Sequence, residues 1–394
     1  MGYRMILLQK TDLTPLTRSL RASTVLVAVA AWLALASPVG AQNVAAPLIQ
    51  PEAGLPALGD DAAGFGAELK RKKQLQVRQS VSGIACALNA KQQRVCLLAF
   101  DEGAQGYFAR LEGSTLKPLK QPVTLIPGDG ELDAEAAATD GRYFYVAGSH
   151  SPRRSNCSAR PDSRHIVRFA RDAKTGRALK PGVVKRAINT VMGESTPAGY
   201  ADSTRLWAIM QAQPELAPFV AEGLCMGDNG AVNIEGMAVQ GGRLTFGLRG
   251  PVAGGATKLL SVDAEALFDP TGRADPKAVV TTVALGAHTG VRDLVAVTGG
   301  FLLLAGPDDE RASQKSVDFS VWFWDGRAPT TPGSPAAVRA LATLDTRRVA
   351  LRNCDAEIKP EALTVLQETA RGYRVMVLSD GLCDGGALMF TIAR

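Results

Sequence analysis

Histidine occurs only three times in the 394 residues, widely separated, and no His-x-x-x-His or Cys-x-x-Cys pair is present. That argues against a zinc site, whose ligands come in such close pairs. No Gly-x-Ser-x-Gly elbow, Walker loop or dinucleotide glycine motif stands in a suitable context, and Gly254-Gly255 reads as loop punctuation. Basic runs are scarce as well. Lys70-Arg71-Lys72-Lys73 has no aromatic neighbours and reads as a solvated linker face, so nucleic acid is not expected as a partner. After residue 41 no apolar stretch approaches the length of a membrane span.

What is present begins with an export pattern. Arg4, Lys10, Arg18 and Arg21 precede an apolar run over residues 24–35, and Val39-Gly40-Ala41 offers small residues where a signal peptidase needs them. Residues 1–41 therefore read as a signal peptide, with an uncleaved anchor as the alternative. No cysteine follows the small-residue motif, which speaks against a lipid anchor. Removing the segment takes away four basic and one acidic side chain. That leaves 40 basic against 37 acidic side chains, a net charge near +3. Residues 42–73 are rich in Ala, Pro and Gly towards their start and read as a flexible lead-in. Residues 74–394 are the folded domain, in a periplasmic or secreted protein expected to be monomeric.

That domain is repetitive. Asn233-Ile234-Glu235-Gly236-Met237 leads through Val239 and the pair Gly241-Gly242 into alternating Leu244, Phe246 and Leu248, the pattern of a hairpin of half-buried strands. The unit returns at Arg292-Asp293-Leu294 with Gly299-Gly300, at Asp133-Ala134-Glu135 with Asp140-Gly141, at Lys359-Pro360-Glu361, and at Val81-Ser82-Gly83. A third apolar stretch follows each hairpin, and a fourth follows most, as at Val123-Thr124-Leu125-Ile126 and Val183-Val184-Lys185. Four strands per unit describe a propeller blade. The fold class is all-β, a single β-propeller of five blades, with six as the alternative, and a helical insertion near 191–232 where Thr204 to Met210 has a helical pattern. The last unit stops after its third strand. The extended-looking Gln74-Leu75-Gln76-Val77-Arg78 is expected to pair there and close the ring as an N-terminal strand.

In a blade the first strand lines the axis, so residues opening it surround one mouth of the central channel. Glu135, Glu235, Asp293 and Glu361, with Ser82, are expected there. His150, Arg249 and Asp380 follow at the ends of second strands, and Arg292 is a counter-charge beside Asp293. So many acids in a low-dielectric mouth require cations, from Arg249 and Arg292 or from a bound metal held by Glu135, Glu235, Asp293 and Glu361. The competing reading is structural: each acid accepts backbone N–H bonds from a neighbouring blade. For His150 the competing reading is a structural hydrogen bond. Asp129, Glu131, Asp133 and Glu135 alternate along one extended face. Oxygen ligands suit Ca2+, but Ala134 stands where an EF-hand needs glycine, and the run reads as a solvated acidic loop.

Six cysteines in an exported chain imply disulfides, with fifteen complete pairings open to sequence alone. The blade register selects Cys86–Cys96 within one hairpin, Cys157–Cys225 between mouth-side loops, and Cys354–Cys383 beside the last blade.

Taken together, Ser82-Gly83-Ile84, Ala99-Phe100-Asp101-Glu102-Gly103, Gly148-Ser149-His150-Ser151, Ile234-Glu235-Gly236, Gly247-Leu248-Arg249-Gly250-Pro251, Val291-Arg292-Asp293-Leu294, Lys359-Pro360-Glu361-Ala362-Leu363 and Leu378-Ser379-Asp380-Gly381 resemble the bacterial domain-of-unknown-function 3616 family over nearly all of residues 80–394. Ser82-Gly83-Ile84 and Ile234-Glu235-Gly236-Met237-Ala238 also look like secreted phytase-like or esterase-like propellers. That shorter resemblance implies a metal-assisted phosphoester hydrolase, in which carboxylates hold Ca2+ while Arg249, Arg292 and His150 stabilise phosphate charge. Three functions remain open: binding of a small polar or charged ligand at the mouth, with or without a metal; the Ca2+-dependent hydrolase; and a scaffold for a protein partner docking on the rim loops or the insertion.

Overall fold

In the computed structural model the Gly241-Gly242 pair makes the turn its composition requires. Both residues have positive φ, 58° and 77°, and they join β11 (Asn233–Gln240) to β12 (Arg243–Gly250) in antiparallel register, Gln240 opposite Arg243. The structure describes residues 46–52, 64–127, 130–180, 197–227, 230–308 and 317–394. The signal-peptide segment, much of the lead-in and Val183-Val184-Lys185 lie outside them.

Among the described residues the strands form five sheets. Blade 1 runs β2 (Val81–Leu88), β3 (Arg94–Phe100), β4 (Gln105–Glu112) and β5 (Thr115–Pro118), with β6 (Val123–Thr124) also on β4. Blade 2 runs β7 (Ala134–Thr139), β8 (Tyr143–Gly148), β9 (Ile166–Ala170) and β10 (Ala201–Ser203). Blade 3 continues from β11 and β12 into β13 (Ala256–Asp263) and β14 (Val279–Ala284). Blade 4 is β15 (Thr289–Val297), β16 (Gly300–Pro307), β17 (Ser320–Trp324) and β18 (Val338–Leu344), and blade 5 is β19 (Lys359–Thr369), β20 (Gly372–Asp380) and β21 (Leu388–Ala393). The first strands β2, β7, β11, β15 and β19 neighbour one another in a closed circuit, β19 returning to β2. The protein is thus a five-bladed propeller.

The core is divided among the gaps between blades rather than gathered at one centre. Blades 2 and 3 enclose Phe246, Leu248 and Leu260 with Leu206, Ile209 and Met210 of α2 (Arg205–Gln211), so the insertion is part of this layer. Blades 5 and 1 are joined by Met376, Leu378 and Met389 packed with Leu98, Phe100, Phe65 and Val77.

That last layer corrects one expectation. Gln74 to Arg78 is not a strand but the end of helix α1 (Arg71–Arg78), which buries Val77 and Arg78 over the seam. Burial of Val77 beside Phe65, together with a bidentate contact of Arg78 to Asp384 (2.7 and 3.1 Å), favours docking of a helix over addition of a strand. An N-terminal strand does join the rim, but it is β1 (Leu48–Ile49). It pairs in parallel with β18 of blade 4, while the Glu52 amide reaches Met389 O on β21 at 2.8 Å. All three expected disulfides are present: Cys86–Cys96, Cys157–Cys225 and Cys354–Cys383. No helix among the described residues is long and apolar enough to cross a membrane.

Candidate functional site at the channel mouth

Each first strand carries a bulge at the same place. At the mouth end, pairing between first and second strands skips Ser82, Glu135, Glu235, Arg292 and Glu361 in turn. A bulge leaves its extra residue out of the ladder and re-aims the side chain, so these five form the ring at the mouth. The next position must be small at two places. A Cβ on Gly83 would sit 2.8 Å from Ala137 N, and one on Gly236 would sit 2.9 Å from the Asp293 backbone. This is the physical content of the Ser-Gly-Ile and Glu-Gly-Met motifs.

The ring position of blade 4 is therefore Arg292, and Asp293, expected there, stands one place further on. Its oxygens accept 2.7 Å bonds from the amides of Leu294 and of Leu363 on the neighbouring first strand. Burial pushes this carboxyl well above the usual range despite those bonds and a further one from the Met237 amide. For Asp293 the structural reading holds.

Around the ring the side chains are linked on one side only. Glu235 Oε1 accepts from Arg249 Nη1 at 2.8 Å and from Asn233 Nδ2 at 2.9 Å. Arg292 Nε lies 3.0 Å from Glu235 Oε2, an ion-pair approach whose angle falls outside a hydrogen bond, and its Nη2 donates to Glu361 Oε1. Ser82 Oγ donates to Glu361 Oε2 at 3.1 Å. Glu135 takes no hydrogen bond or ion pair among the described residues. Burial would raise Glu235, but Arg249 and Arg292 more than offset it and hold its carboxyl below the usual range. Burial lifts Glu361 to about 8, Arg292 offsetting only part of this while Asp380 and Glu235 add to it. Glu135 is driven well above its ordinary value by burial and by the negative charges of Asp133, Glu235, Glu361 and Asp101.

Glu135 opens onto a cavity of about 420 Å3. Its other acidic walls are Asp101, Glu102, Glu131, Asp133, Glu361 and Asp380, and its basic ones are Arg153, Arg154 and Arg160. Arg160 is taken by Asp133 (2.7 Å) and Glu131 (3.1 Å), and Lys359 stands 3.4 Å from Asp380. Asp101 Oδ1 is buried without a hydrogen-bond partner, and its carboxyl is raised by burial, Asp380 and Glu361. Below the ring the first strands enclose a second space of about 200 Å3, the channel itself, lined by residues such as Ile84, Met237, Leu294 and Leu363.

The run Asp129 to Glu135 is thus more than a solvated loop. Glu131, Asp133 and Glu135 line the cavity, and Asp133 is buried and bonded by Ser149, while Asp129 lies outside the described residues. Asp380 lines the cavity; Arg249 and Arg292 stand behind it as counter-charges to Glu235. His150 does not line it. The imidazole is buried with Nδ1 3.0 Å from Gly148 O, and burial lowers its pKa to about 4. The four carboxylates expected to hold Ca2+ do not fit a cage. Asp293 is bound by amides, Glu235 and Glu361 by arginines, and among the described residues no three of the mouth acids bring oxygens within 4.8 Å of one another. Sequence reading missed Arg153, Arg154, Arg160 and Asn233. The signal was the long crossing from β8 to β9, whose Arg153-Arg154 pair and Arg160 follow directly on a mouth-side strand end.

The family described as protein of unknown function (DUF3616) matches residues 110–384. No curated protein matches the chain. Among solved structures, similarity is found to a lectin from Aleuria aurantia complexed with Fucalpha1-6GlcNAc, at 10% identity and a TM-score of 0.33, over 80% of this chain and 97% of that one. An alpha-L-arabinanase from Penicillium chrysogenum complexed with arabinobiose is similar at 12% identity and a TM-score of 0.37, over 80% and 93%. A hypothetical protein from Leishmania major is similar at 12% identity and a TM-score of 0.34, over 81% and 87%.

Proposed function

The chain belongs to the DUF3616 family of proteins of unknown function, and from its geometry we propose that it is an exported propeller binding a small polar or charged ligand at the acidic mouth. The observation that carries this reading is Glu135. Of the ring residues it alone has no partner among the described residues, although its equivalents in blades 3 and 5 are bonded. Ionisable groups left unpaired in a low-dielectric site cost stability, and such sites are where binding groups gather. The rest of the mouth is built to hold still: Asp293 ties adjacent first strands, and Cys157–Cys225 pins the loop carrying Arg153 and Arg154 against the segment carrying Met226. Three disulfides suit an oxidising compartment such as the periplasm or the exterior.

Thermal unfolding of the protein against a panel of small sugars, acids, amines and phosphoesters tests the reading. At least one compound should raise the melting temperature saturably, and Glu135→Gln should abolish that rise. A stabilising compound whose effect survives Glu135→Gln and Asp101→Asn together would place binding elsewhere and overturn it.

A further inference from the structure

The unpartnered polar groups that line the cavity share one chemistry. Glu135, half-buried, turns a carboxylate without a partner among the described residues towards the cavity, and Asp101 Oδ1 is buried without a hydrogen bond. Asn233 supplies a third, independent case. Its side chain lines the cavity at 3% exposure, its Nδ2 is spent on Glu235, and its Oδ1 has no hydrogen-bond partner. All of these are acceptors. Buried acceptors left open cost stability unless a donor meets them, so what complements this mouth carries N–H donors and positive charge. The walls agree: seven carboxylates face three arginines, and Arg160 is already shared by two of the acids.

Size separates a metal ion from an organic cation. A Ca2+ ion needs six to eight oxygens at about 2.3–2.6 Å, whereas these acids spread around a space of about 420 Å3. That volume lies within the range of small-molecule sites. An ammonium group offers three donors on one centre and can be met by acceptors from separate blades.

We propose that the mouth binds a small organic cation bearing a primary ammonium group, its N–H donors directed to Glu135, Asp101 and Asn233. The inference rests on the reading of the mouth as a ligand site and specifies the ligand's class.

The test is isothermal titration calorimetry of the full chain with four probes: butane-1,4-diamine, butane-1,4-diol, succinate and CaCl2. The diamine should bind, with affinity falling as NaCl is raised. Glu135→Gln and Asp101→Asn should each weaken it about tenfold or more, the loss of one charge-assisted hydrogen bond. Both substitutions are near-isosteric, and an unchanged melting curve for each shows that the fold persists. Diol or succinate binding that Glu135→Gln removes, with the diamine silent, would leave the mouth a ligand site and overturn the preference for a cation. Ca2+ binding removed by the same variants would replace the organic cation with a metal. Diamine binding unaffected by both variants would overturn the mouth itself as the site.

Discussion

Glu135 and Glu235 occupy the same bulged position in adjacent blades, yet Glu235 is bound by Arg249, Arg292 and Asn233, while Glu135 faces a cavity with no partner among the described residues. Equivalent backbone geometry has been put to two uses. One Glu pairs with two buried arginines, sharing Arg292 with Glu361, and the other is exposed to whatever enters the mouth.

Removing Glu235 should therefore be a stability experiment. Glu235→Gln strips the counter-charge from Arg249 and from part of Arg292, 2% exposed each. Breaking a buried pair on one side typically costs about 3–5 kcal/mol. Urea unfolding should show a lower midpoint; an unchanged midpoint would mean that the arginines find other acceptors.

Asp293 makes a similar prediction by another route. Asp293→Ala leaves the Leu294 and Leu363 amides without their acceptor, at about 1–3 kcal/mol for each buried unsatisfied group. The Leu363 bond crosses between blades, so hydrogen exchange should accelerate along both β15 and β19. Acceleration confined to β15 would show that the inter-blade bond carries little.

At the seam, Arg78 and Asp384 are 8% and 5% exposed and join α1 to blade 5, with the Phe65 amide also on Asp384 at 3.0 Å. Asp384→Ala should cost about 3–5 kcal/mol and release α1, so trypsin should cut the Lys70 to Lys73 run faster than in wild type. Equal cutting rates would show that packing of Val77 and Phe65 alone holds the seam.

The pH dependence follows from two buried groups. Glu361 has a folded-state pKa of about 8 against an ordinary 4.5, so the folded chain holds its proton longer and stability declines as pH rises from about 4.5 to 8. His150, lowered from 6.5 to about 4, acts the other way in a lower window: its contribution is complete above 6.5 and is lost as pH falls towards 4. Between pH 6.5 and 8 the carboxyl acts without the imidazole. In that window Glu361→Gln should flatten the decline in melting temperature. An unchanged slope would assign it to other groups raised in the folded chain, among them Asp293, Glu135, Asp101 and His165.

Much of this architecture was legible in the sequence, because a blade repeats a local pattern. Paired glycines at turns and alternation in Leu244, Phe246 and Leu248 are short-range signals that placed the hairpins, the helical pattern of Thr204 to Met210 placed the insertion, and the blade register selected the disulfides. The closure was harder. Leu75 and Val77 alternate like a strand, but docking against Phe65 and Asp384, more than 300 residues away in the latter case, made that stretch helical. The mouth was half legible. An acid before an apolar strand marks the position, but the bulge that moves Arg292 into the ring and Asp293 out of it depends on pairing with β16. Which acid lacks a cation depends on side chains from other blades, and no sequence pattern around Glu135 distinguishes it from Glu235.

On this reading Glu135 is kept for a ligand and not for the fold. Thermal unfolding of Glu135→Gln beside wild type, at neutral pH without added compounds, tests it most directly. Removing an unpaired carboxyl from among Asp133, Glu235, Glu361 and Asp101 should leave the melting temperature unchanged or raise it, as functional positions do when their charge is relieved. A drop of several degrees would make Glu135 one more acid that holds the ring together, not a residue kept for a ligand.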